Sequence, residues 1–68
     1  MNKELLRSIM VLHRETYRDL ACLLGISEQS FSSKINEKGS EFKQGEIAKI
    51  CEHYDLSAEQ MKSIFFAE

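Results

Sequence analysis

Sixty-eight residues suffice for one small domain, and 43% hydrophobic against 29% charged residues excludes a disordered chain. With no proline, only three glycines and no alternating apolar–polar runs, the composition predicts an all-α fold. The net charge of −2 does not announce a nucleic-acid partner, but it is unevenly spread: residues 1–44 carry seven Lys/Arg against six Asp/Glu, residues 45–68 two against five.

A core this small has little margin, and neither a disulfide framework nor a zinc-ligand signature is present to staple it. Self-association is one way to bury more apolar surface. No signal peptide or apolar run of spanning length appears, so a soluble, cytoplasmic chain with no membrane partner is expected. Cys22 and Cys51 fall on predicted helices and read as buried, reduced thiols.

The first predicted helix covers about residues 2–14, with Asn2 as its cap. Leu5, Ile9 and Leu12 make one apolar row and Leu6, Met10 and His13 its neighbour, leaving Lys3, Arg7 and Arg14 toward water. His13 reads as a helix-end histidine touching carbonyls or water rather than as a ligand. Thr16 opens a second helix over about 17–24, with Asp19 three residues on as a near-capping box. A hydroxyl at a helix start can cap and also meet a phosphate, and both readings of Thr16 stay open. Tyr17 and Arg18 share that end.

Leu20, Ala21 and Leu24 give this second helix one face, and Gly25 follows where a left-handed residue commonly ends a helix. Ile26 then tucks inward and Ser27 caps a third helix over about 28–36, whose apolar face is Phe31 and Ile35. Ala21 supplies the small side chain that a steep helix crossing needs. Glu28, Gln29, Ser32 and Ser33 are left outward, so this short helix is held by its back with small polar groups in front. Such a front suits a DNA major groove.

Residues 36–40 read as a loop flanked by Lys38 and Lys43, with Phe42 pinning it onto the core. A fourth helix over about 44–54 carries Ile47, Ile50, Cys51 and Tyr54 on one stripe. Ser57 with Gln60 makes a capping box for a fifth helix over about 58–65, with Met61, Ile64 and Phe65 apolar. Phe65 and Phe66 cannot both face one small core. One of them either meets a second subunit or folds back over the domain's own edge.

This order of elements, with TYRDLACLLGIS followed by EQSFSSKIN, resembles the Cro and phage-repressor helix-turn-helix family over nearly the whole chain. Leu20, Ala21, Leu24, Gly25, Ile26 and Ser27 match most closely, and FSSKINEKGSEFKQGEIAKI looks like small regulators of Gram-positive phages and prophages. The resemblance implies a compact five-helix, lambda-repressor-like DNA-binding domain. It implies base reading by Ser27, Glu28, Gln29, Ser32 and Ser33, with Ser30 close to the backbone. Three positions depart from the family: Tyr17 stands where Gln is frequent, Glu28 is acidic, and Lys34 takes a commonly apolar site while Ile35 fills that role one place later.

The function expected is sequence-specific binding of double-stranded DNA by a homodimeric, phage-type transcriptional regulator, a repressor acting by steric exclusion. Gln29 is the best direct reader, because its amide can pair twice with adenine. Thr16, Tyr17, Arg18, Ser30, Lys34, Lys38 and Lys43 are the expected backbone contacts. A protein-interaction module on the same fold, an antirepressor or adaptor, is the alternative, motivated by net acidity and a serine-rich face. No enzyme is expected, and no cofactor, metal or small-molecule substrate. Glu46 and Glu52 read as a solvated face without a nucleophile, and Cys51 and His53, two apart on a helix, point in different directions.

Overall fold

The computed structural model describes residues 1–66. Among them the chain forms five helices and no strand: α1 (Lys3–Leu12), α2 (Tyr17–Leu24), α3 (Glu28–Ile35), α4 (Gln44–Tyr54) and α5 (Ala58–Phe65). None of these is long and apolar enough to cross a membrane.

Most of the helix starts follow from a polar side chain that takes up an orphan amide. Asn2 Oδ1 accepts from the Leu5 N–H at 3.2 Å, Thr16 Oγ1 from Asp19 at 3.4 Å, and Ser27 Oγ from Ser30 at 3.0 Å. Ser57 Oγ accepts from Gln60 N–H at 3.1 Å while Gln60 Oε1 accepts from Ser57 N–H at 2.9 Å, completing a capping box. At α4 only half of such a box exists. Lys43 has no side-chain acceptor, and its own N–H donates to Glu46 Oε1 at 2.8 Å.

The ends of α1 to α4 depend on left-handed residues. Gly25, at φ 71°, ends α2 with the Ile26 N–H on Ala21 O at 3.0 Å and the Gly25 N–H on Cys22 O at 3.2 Å. Arg14, Glu37 and Asp55 take the same conformation at φ 57°, 54° and 53° without a glycine's freedom. Arg14 explains why α1 stops at Leu12 rather than continuing to residue 14 as expected. Leu12, expected on the inner row, is 80% exposed. It lies two residues past buried Met10, about 200° round the helix, in the last turn before the chain leaves.

The core collects Leu6 and Met10 from α1, Leu20, Ala21 and Leu24 from α2, Phe31 and Ile35 from α3, Ile50 and Tyr54 from α4, and Ile64 from α5. α2 packs on both α3 and α4, and α1 lies along α5, where the Asn2 N–H donates to Ile64 O at 2.6 Å. A row of rings runs through this assembly: Tyr17 to Phe31 at 5.2 Å, Phe31 to Phe42 at 5.4 Å, and Phe42 to Phe65 at 5.9 Å between centroids. Phe42 thereby fastens the α3–α4 connection to the core. Phe65 belongs to the row, and Phe66 is left 60% exposed. Cys51 is half-buried, but Cys22, expected inside, is exposed on α2, two places from Leu20 and so off its inner face.

The glycines give a direct check of this backbone. A Cβ would meet nothing within 4 Å at Gly25 or at Gly45, yet only Gly25 has positive φ. Gly25→Ala is expected to destabilise the protein by about 1 kcal/mol, and Gly45→Ala, inside α4, to stabilise it by about 0.5 kcal/mol. Urea unfolding of the two variants reads this difference in sign.

Candidate nucleic-acid interface

The candidate surface is made by α3 and the turn that delivers it. Phe31 and Ile35 are fully buried at 0% exposure, which fixes the inner side of α3 and turns the opposite side outward. Ser27, Glu28 and Gln29 are exposed, while Ser32 and Ser33 are half-buried. The first turn of α3 is therefore its barest part.

Hydrogen bonding divides the five expected base readers further. The Ser27 hydroxyl accepts from the Ser30 N–H and donates to Ser30 Oγ at 2.9 Å, so it works inside the cap. Ser32 Oγ lies 3.4 Å from Asn36 Nδ2, which donates chiefly to Ser32 O at 2.9 Å. Asn36 is held in turn by Lys3 Nζ at 3.3 Å. Among the described residues the side chains of Glu28, Gln29 and Ser33 have no hydrogen-bond partner. Glu28, at the positive end of α3, suits the helix dipole although it opposes a phosphate.

The expected backbone contacts separate in the same way. Both Thr16 donors are engaged by Asp19 Oδ2, the N–H at 2.8 Å and the hydroxyl at 3.1 Å. Those bonds hold the Asp19 carboxyl below its usual range. Tyr17 Oη accepts from Arg7 Nε at 2.7 Å, with the guanidinium 5.8 Å from the ring centroid, and keeps its own proton to donate. Arg7, expected toward water, is thus drawn to the start of α2. Arg18, Lys38 and Lys43 are exposed and have no carboxylate partner among the described residues. Ser30 is half-buried within the cap of α3.

Lys34 is different. Its Nζ lies 2.8 Å from Glu46 Oε1 and 3.1 Å from Oε2, with the two side chains only 12% and 13% exposed. Glu46 was expected on a solvated face and is instead enclosed between α3 and the start of α4. Burial alone would raise its carboxyl, but the Lys34 hydrogen bonds, the Lys43 N–H and both lysine charges outweigh that and hold it below the ordinary 4.5.

On the far side, Glu15 receives His53 Nε2 at 3.0 Å from both carboxylate oxygens, joining the α1–α2 turn to α4. The buried Tyr54 Oη faces this carboxylate without reaching hydrogen-bond geometry, and burial first, then Glu15, pushes its phenol above the usual range. His13, at the end of α1, stacks on Tyr54 at 4.8 Å. Among the described residues no group of three or more His, Cys, Asp or Glu is placed to hold a metal ion.

The ionisable pair at α3 sets a pH dependence. Glu46 has a folded pKa below its unfolded one, so its stabilisation is complete above about pH 4.5 and drains away as pH falls through the lower folded value. Glu46→Gln is expected to cost about 1–2 kcal/mol at pH 7 and to flatten the acid limb of the stability profile. Thermal melts between pH 7 and 3 follow both effects.

The chain belongs to a family described as "Protein of unknown function (DUF739)", whose model matches residues 3–68. No curated protein and no solved structure matches it.

Proposed function

We propose, for this member of that family, sequence-specific binding of double-stranded DNA through a helix-turn-helix made by α2, the Gly25–Ser27 turn and α3. The observation that supports it best is α3 itself: clamped behind by Phe31 and Ile35 at 0% exposure, it carries Gln29 bare in front and Glu28 bare in its first turn. A major groove admits one α-helix, and a helix fastened only by its back is free to enter it. The resemblance to Cro and phage repressors agrees with this and adds the role of a phage-type transcriptional regulator.

In this reading Gln29 is the principal base reader, its amide pairing with adenine N6 and N7, and Glu28 accepts from a cytosine amino group. Ser33, whose hydroxyl has no partner among the described residues, lies further along the same front. Tyr17 can donate its hydroxyl to a phosphate while Arg7 holds the oxygen from the other side. Arg18, Lys38 and Lys43 supply charge to the backbone. One module of this size reads few bases, so useful specificity requires two copies on half-sites about one helical turn apart. Phe66, the exposed ring at the end of α5, is the candidate contact between them, next to Phe65, which packs partly buried against the core. Repression then follows from excluding polymerase, with no chemical step.

Selection of bound sites from random duplexes reports binding, sequence and half-site spacing together. On the selected site Gln29→Ala is expected to weaken binding about 10-fold and to relax preference at one position, consistent with about 1–3 kcal/mol per bidentate base contact. Loss of affinity on raising salt should be steep, with a log–log slope near −0.9 per phosphate neutralised. A second reading, an interaction module for another protein, is favoured by the exposed acid Glu28 and the net charge of −2. No retained duplex at low salt, together with capture of a protein partner through α3, would establish that second reading instead.

A further inference from the structure

We propose that Lys34 and Glu46 are positioning residues that fix the rotation of α3, and that Lys34 is not a phosphate ligand. The inference rests on the DNA-binding reading of α3. It begins from a geometric shortage: α3 has eight residues and two buried anchors, Phe31 and Ile35, four apart on one line of the helix. Two anchors on a line resist tilting but oppose rolling about the helix axis only weakly. Reading a base edge tolerates about 10–20° of misorientation at most. A third point away from that line is needed.

Lys34 provides it. One residue before Ile35, it leaves α3 about 80° round from the mid-line of the two anchors and ends on both oxygens of Glu46. Glu46 Oε1 also takes the Lys43 N–H at 2.8 Å. One carboxylate therefore joins the last turn of α3, the end of the connecting segment and the first turn of α4. The polarity suits both ends, with a cation at a helix C-terminus and an anion at a helix N-terminus. Were Lys34 to swing out to a phosphate, a mostly enclosed Glu46 carboxylate would lose its hydrogen-bonded counter-charge, an unfavourable exchange.

The test uses substitutions that keep the net charge of the pair at zero. Lys34→Gln/Glu46→Gln removes both charges, and Lys34→Glu/Glu46→Lys exchanges them. Each is titrated on the selected duplex and on an unrelated duplex over a range of salt, with Lys38→Gln as the reference for a phosphate contact. Circular dichroism and melting confirm folded protein at the working temperature.

The expected result for the glutamine pair is a roughly 10-fold fall in the ratio of specific to non-specific affinity, with the salt slope of non-specific binding unchanged. The exchanged pair should recover part of that ratio. Lys38→Gln should lower the slope by about 0.9 per contact and weaken both duplexes alike. A slope lowered by about 0.9 in the glutamine pair makes Lys34 a phosphate ligand and overturns the proposal. A lowered melting temperature with an unchanged affinity ratio reduces the pair to a stabilising contact and overturns it too. Should the exchanged pair fail to fold, the near-isosteric glutamine pair still decides. Absence of any binding by the wild-type chain, even at low salt, removes the DNA-binding reading itself and is thereby told apart from failure of the pair.

Discussion

Phe31 and Ile35 holding α3 against the core is the contact on which the remaining architecture depends. A helix of eight residues is not stable alone in water, so its existence requires that burial. The same burial decides which residues face outward. Phe31 is also the hub of the ring row, touching Tyr17 from α2 on one side and Phe42 from the α3–α4 connection on the other. The surface helix, the helix before it and the segment after it are thus braced by one side chain.

Around that anchor, several of the basic side chains fall into two groups. Lys3, Lys34 and His53 are engaged within the protein, by Asn36, Glu46 and Glu15 respectively. Arg18, Lys38 and Lys43 are exposed without a carboxylate partner among the described residues. A slightly acidic chain can therefore still present unpaired cations, because several of its acids are turned toward internal partners. Net charge describes the whole molecule's long-range field; it does not describe one face.

The caps were legible in the sequence because each is a local event. Asn2, Thr16, Ser27 and Ser57 act on amides three residues ahead, and all four do so in the structure. The anchors of α3 were legible because Phe31 and Ile35 obey the helical period. What escaped is whatever depends on how helices meet. Lys34 finds Glu46 across 12 residues and Glu15 finds His53 across 38, and no local pattern marks either pair. The end of α1 escaped for another reason: Arg14 in a left-handed conformation looks, in sequence, like an ordinary helical residue. Thr16 lies between these cases. Its cap was visible, but the capture of both its donors by Asp19 leaves less for an external partner than the cap suggested.

Arg14, Glu37 and Asp55 hold backbone angles that a side chain adopts only at a penalty, about 1 kcal/mol or more each. Glu37 has compensation, since its carboxylate receives the chain's first amine at 2.8 Å. Arg14 and Asp55 hold nothing among the described residues. The fold therefore operates below its own ceiling of heat tolerance, and two exposed positions outside α3 contain the unused reserve.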